Sequence, residues 1–97
     1  MTNVNRQVPL VLLAVSEPGA CQPFAALMRS EGVSVAVAHG DQACLRMATA
    51  LYPDVILLDP RLPRALLSLL RAHPLSKHAQ ISWARALAGF PAAVNNR

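Results

Sequence analysis

The stretch YPDVILLDPRLP, residues 52–63, decides how this chain reads. Four apolar residues, Val55 to Leu58, run from a Pro-Asp pair into a single carboxylate, Asp59, which Pro60 and Pro63 follow. A short, continuously apolar run bounded by turn residues is the pattern of a strand buried on both faces. It predicts a strand over 54–59 with Asp59 at its carboxyl end, because proline cannot extend a central strand.

The same alternation continues outward. Residues 8–15, VPLVLLAV, predict a first strand, and Pro18-Gly19 interrupt it. Phe24, Leu27 and Met28 recur at helical spacing and predict a helix that stops at Gly32. VSVAVA (33–38) alternates as a half-buried strand does, and HGD (39–41) turns the chain, with Asp41 placed to cap the next helix. In that helix Cys44, Met47, Ala48 and Leu51 form one apolar stripe, and Pro53 ends it.

Beyond Asp59 the segments shorten. Residues 64–73 predict a helix with Leu66, Leu69 and Leu70 facing inward, ended before Pro74. AQISWA (79–84) reads as a fourth strand, RALAGF (85–90) as barely one helical turn, and AAVNN (92–96) as a last short strand. The order is β-α-β-α-β followed by a compressed α-β-α-β. Strands joined by helices pair in parallel through right-handed crossovers, with helices on both faces. The prediction is one α/β domain over residues 1–97, a doubly wound sheet of five parallel strands. In such sheets the polar site lies at the carboxyl ends of the strands. Ser16-Glu17, His39 and Asp59 fall at that edge.

Composition narrows the functions. The chain has 97 residues, 54% hydrophobic and 14% charged, which suits a single folded core and not a disordered segment. No apolar run approaches the roughly 20 residues of a membrane span, and no signal peptide is read at the start. Cys21 and Cys44 lack the spacing of a zinc site or a disulfide framework, so a reducing cytoplasm is the expected setting. All five acids lie at or before Asp59, whereas residues 60–97 carry Arg61, Arg64, Arg71, Lys77, Arg85 and Arg97. That basic half prompts a nucleic-acid accessory module as one reading. With no helix-turn-helix or aromatic RNA-binding motif, it rests on charge alone, and solvated arginines on helix exteriors account for the same pattern. Ser16, His39 and Asp59 can be drawn as a nucleophilic triad, yet strand-end positions supply neither the contact nor the oxyanion donor that such chemistry needs. His73 and His78 read as surface residues near the end of the third helix.

VPLVLLAVSEPG together with LMRSEGVSVAVAHGDQACLRMATALYPDVILLDPRLP resembles the receiver (CheY-like) domain of bacterial response regulators. The likeness covers residues 8–63 closely and 64–97 loosely, and its most specific element is PDVILLDPRLP, similar to the phospho-acceptor strand. The resemblance implies two-component phosphorelay signalling, with Asp59 as the phospho-acceptor and a histidine kinase as the donor. It also implies Mg²⁺ held by the acceptor and by acids after the first strand, with a hydroxyl after the fourth strand and a lysine after the fifth. Mg²⁺ is a hard ion that takes carboxylates, water and phosphate in near-octahedral geometry.

Matched position by position, the pocket is degenerate. The acidic pair falls on Val15 and Ser16, with Glu17 one place further on. The Thr-Ala pair falls on Arg85-Ala86 with Ser82 as the nearest hydroxyl, and Lys-Pro falls on Asn96-Arg97. Asp59 and Asn96 are closer in sequence than the family pattern asks, so the resemblance implies truncated third and fourth helices and no fifth helix. The expectation is a non-enzymatic pseudo-receiver that needs no cofactor, with Mg²⁺ relevant only if Asp59 is phosphorylated; the weak metal candidates are Asp59 and Glu17. It is expected to act by phosphorylation-independent contact with a kinase, another regulator or a second copy in a homodimer. The candidate contact surface comprises Trp83, Phe90, Arg61, Arg64 and Arg71. The alternative is a phospho-accepting regulator that uses Asp59 with Glu17 and a basic partner from among Arg61, Arg85 and Arg97.

Overall fold

A computed structural model describes residues 8–74, 76 and 78–88. Strand β1 is Leu10–Val15, β2 Ser34–His39, β3 Val55–Leu58 and β4 Gln80–Trp83. Helix α1 is Gln22–Ser30, α2 Asp41–Leu51 and α3 Ala65–Ala72, and 3₁₀ turns span Pro18–Cys21 and Arg85–Ala88. The strands form one parallel sheet in the order β2-β1-β3-β4. The fifth strand expected over 92–96, with Asn96 and Phe90 nearby, lies outside the described residues.

The central strand β1 explains the fold. Val11 through Val15 are all buried, with Val11 at 4% exposure and the next four at 0%. Alternation divides them between two cores. Leu12 and Ala14 join Ile56, Leu58, Cys44, Ala48, Leu66 and Leu70 beneath α2 and α3. Val11, Leu13 and Val15 join Cys21, Ala25 and Leu87 beneath α1 and the second 3₁₀ turn. Each fully buried Leu or Val contributes about 1.5–3 kcal/mol, so a strand buried on both faces anchors the whole sheet. The two cysteines, one in each core, form no disulfide, and burial pushes the Cys44 thiol up to about 12. A thiol so poised stays protonated and packs as a small hydrophobe.

Two local expectations, on Leu69 and Asp41, need correction, and the buried face of α1 can be specified. In α1, Ala25 is buried with Phe24 and Met28 packed beside it, whereas Leu27 is 56% exposed. Leu69 is likewise 53% exposed. Leu66 and Leu70 are the buried pair of α3, and Leu67 takes the third core contact. Asp41 is the first residue of α2 and not its cap. Gly40 holds that position, and Asp41 accepts a hydrogen bond from the Gln42 backbone N–H at 2.9 Å. Its charge still suits the positive end of the helix.

Gly40 adopts φ 93° and ψ 167°, a region open essentially to glycine alone. Its amide donates to Val15 O at 2.9 Å, extending the β1–β2 ladder into the turn. A Cβ there would meet nothing within 4 Å, so a side chain is opposed by backbone strain and not by crowding. Gly40→Ala is therefore expected to cost about 1–3 kcal/mol in urea unfolding. Gly19→Ala, also in open space and without positive φ, serves as the near-neutral control. Equal losses at both sites would contradict this account.

Candidate functional site

Asp59 stands one residue beyond β3, and its amide still donates to Ala14 O at 2.9 Å. The ladder thus fixes its backbone against β1. Immediately afterwards the chain reverses. The Leu62 amide donates to Asp59 O at 2.9 Å, closing a four-residue turn with Pro60 in its second place. Proline presets φ there, and an aspartate at the head of such a turn accepts from the amide two residues on. The Arg61 amide does donate to Asp59 Oδ1, at 2.8 Å. The sequence Asp-Pro-Arg-Leu is a turn that brings the Arg61 side chain back over the carboxylate.

That side chain completes the site. Arg61 Nε donates to Oδ1 at 3.1 Å and Nη2 to Oδ2 at 2.9 Å, a two-pronged contact that spans both oxygens. From the end of β1, the Ser16 backbone N–H donates to Oδ2 at 3.1 Å and the Ser16 hydroxyl at 2.9 Å. Asp59 therefore accepts five hydrogen bonds and is itself 0% exposed. Burial pushes its carboxyl up, but the donors from Arg61 and Ser16 outweigh burial and hold it well below the usual carboxylate range. Arg61 Nη1 also lies 3.6 Å from Glu17 Oε1, an exposed pair that adds little by itself but ties the loop after β1 to the loop after β3. The His39 ring faces Ser16 O through Nε2 at 3.0 Å; a carbonyl only accepts, so Nε2 carries the proton.

The structure brings some of the sequence-selected residues together and separates others. Ser16, Glu17, Asp59 and Arg61 form one cluster, with His39 at its margin as the last residue of β2 and not part of a turn. Val15 is fully buried in the α1-side core and does not enter the cluster. Ser82 lies within β4 opposite Leu57, and Arg85 opens the second 3₁₀ turn as an exposed residue. Arg64 and Arg71 are exposed at the two ends of α3. Trp83 is half-buried against the α2–α3 core, and with Pro60 and Arg64 it lines a shallow cleft next to the Asp59 turn. Arg61 was expected on a contact surface or, in the alternative, as a basic partner of Asp59, and Ser16 counted as a lost acid; its role as a donor to the carboxylate was missed. The signal for both was available: Pro60 dictates the turn, and a strand-end serine offers two donors to a neighbouring carboxylate.

This donor set does not fit Mg²⁺. Both Asp59 oxygens face N–H and O–H donors, and a guanidinium already lies on the carboxylate where a second cation would be repelled. The other acid at this edge, Glu17, is engaged by the same guanidinium. Among the described residues, no group of three or more His, Cys, Asp or Glu side chains converges as a metal site.

No protein-family model matches the chain, and no curated protein matches it. Solved structures do. The chain is similar to the N-terminal domain of a response regulator receiver protein from Methanoculleus marisnigri JR1, at 20% identity and a TM-score of 0.70, over 76% of this chain and 63% of that one. It is also similar to a response regulator receiver domain (CheY-like) from Methylobacillus flagellatus, at 21% identity and a TM-score of 0.72, over 79% of this chain and 69% of that one. The chain thus spans 63% of the first structure's length and 69% of the second's. With the β2-β1-β3-β4 order and an aspartate at the carboxyl end of β3, the architecture is settled: the chain has the CheY-like fold of response-regulator receiver domains, with Asp59 closed in an ion pair at its carboxyl edge.

Proposed function

We propose that this chain is a receiver-fold module of two-component signalling that works by phosphorylation-independent protein–protein contact. One observation carries the reading: the Asp59 carboxylate is fully buried, with both oxygens engaged by donors from its own chain. Phosphoryl transfer needs an acceptor oxygen free to approach phosphorus in line and cations placed to meet the developing charge. Here the nearest cation, Arg61, is spent on the acceptor itself. A surface for protein contact lies beside it, where Trp83 and Pro60 supply apolar area and Arg64 a charge. The partner classes are a histidine kinase, another regulator or a second copy of this chain.

The alternative, a phospho-accepting regulator, is favoured by the position of Asp59 at the end of β3. The two readings separate on incubation with acetyl phosphate and Mg²⁺ followed by intact-mass measurement. No phosphoryl adduct is expected on the wild-type chain. An adduct that disappears in Asp59→Ala would overturn the first reading in favour of the second.

A further inference from the structure

A buried carboxylate needs a countercharge, and this site draws one from an unusual place. The guanidinium of Arg61 spans both oxygens of Asp59 at 2.9 and 3.1 Å and extends Nη1 toward Glu17 Oε1 at 3.6 Å. One cation therefore lies between two carboxylates that belong to different strand-end loops, as a bridging ion would. The burial is asymmetric: the Asp59 side chain is 0% exposed and the Arg61 side chain 43%. The arginine covers the carboxylate like a plug, with its outer face in water. Ser16 also holds Oδ2 through two donors from the end of β1, and the Pro60 turn fixes the Arg61 backbone, so the arrangement is pre-organised from both loops.

We propose that Arg61 is the resident cation of the Asp59 site, occupying from within the chain the place beside that carboxylate that a divalent ion would otherwise take. The loops after β1 and β3 are then held together without metal. This deepens the reading of the site as closed to phosphoryl chemistry and rests on it. It makes a separate demand: removal of the guanidinium must leave a buried anion that accepts a replacement cation. Arginine is suited to the position because its planar fork satisfies both oxygens at once and stays charged at any working pH.

The test uses thermal unfolding of the full chain, each protein measured with chelator and with millimolar Mg²⁺ or Mn²⁺. The wild-type midpoint is expected to be the same in both conditions. Arg61→Ala and Arg61→Gln are expected to unfold at lower temperature in chelator and to recover with divalent ion. Ion at tenfold over its dissociation constant raises the midpoint of a domain this size by roughly 5–10 °C. The recovery should be absent when Asp59→Asn is combined with Arg61→Gln. A wild-type midpoint that climbs with Mg²⁺ would overturn the proposal, because the place would then be open. So would two Arg61 variants that no divalent concentration moves, and a variant unfolded throughout counts as unmoved. A phosphoryl adduct on the wild-type chain would strike at the functional reading alone, since the metal response of the Arg61 variants is measured without a phosphodonor.

Discussion

Asp59→Asn is expected to destabilise the protein by about 1–3 kcal/mol at neutral pH and to remove most of its loss of stability in acid. The first effect follows from hydrogen-bond direction. All five partners of the carboxylate are donors, so an amide NH₂ in place of one oxygen sets donor against donor. The second follows from linkage. The ordinary value for this group is 3.8, and the folded-state value lies well below it because the Arg61 and Ser16 donors outweigh the effect of burial. Between those two values the unfolded chain binds a proton that the folded chain refuses, so stability rises with pH across that window. The contribution is fully present above the unfolded value and is lost progressively as pH falls from about 4 toward the folded value. The two proteins differ only at this residue, so the comparison isolates its charge. Urea midpoints measured from about pH 7 down to about pH 3 should therefore draw closer for wild type and variant toward the acid end. A gap that stays constant across the range would show that the Asp59 charge is not what the site stabilises.

Reading the sequence recovered the scaffold because the scaffold is written in local pattern. Val55 to Leu58, bounded by Pro53 and Pro60, can hardly be anything but a central strand, and the run ending at Val15 pairs with it through that same apolarity. The helices were legible as helices, but their inward faces were less so. Leu27 and Leu69 each satisfy helical spacing with a true core residue, and spacing alone does not say which flank of the stripe meets the sheet. The site was legible in part. Asp59, Ser16 and Glu17 fall at one edge from topology alone, since parallel strands bring all their carboxyl ends together. Arg61 was harder to place because its role depends on a turn. Its side chain doubles back only because Pro60 and the Asp59 carboxylate fold the chain within four residues, a three-dimensional consequence of a pattern that reads simply as Asp-Pro-Arg.

The same turn joins scaffold and site in one unit. Leu62, its last residue, is 7% exposed in the α2–α3 core, and Leu66 follows four residues later in the buried stripe of α3. The loop that carries Arg61 and the start of α3 are thus anchored in the same core. The Trp83 cleft is lined by Pro60 and Arg64, which flank Arg61 in sequence.

Leu70→Ala tests how α3 is held. The helix has eight residues, shorter than an isolated helix needs to persist in water, so packing must hold it in place. Leu70 is 0% exposed among Leu58, Leu62 and Leu66. Its carbonyl accepts the Ser76 hydroxyl at 2.7 Å, which ties the segment beyond the helix to its last turn. Truncation to alanine removes buried methyl groups and leaves a cavity, at an expected cost of about 2–5 kcal/mol. A domain of this size has total stability on the order of 5–10 kcal/mol, so the loss is a large fraction of the whole. Leu69→Ala changes the same residue type one position earlier in the same helix, yet Leu69 is 53% exposed, and its expected cost is about 0.5 kcal/mol or less. Helix propensity rises slightly in both variants and cannot separate them. Urea unfolding of the two proteins isolates burial as the cause. Equal losses, or a larger loss at Leu69, would mean that α3 meets the sheet through the other side of its leucine stripe, and the register that carries Leu62 and Arg61 would be wrong with it.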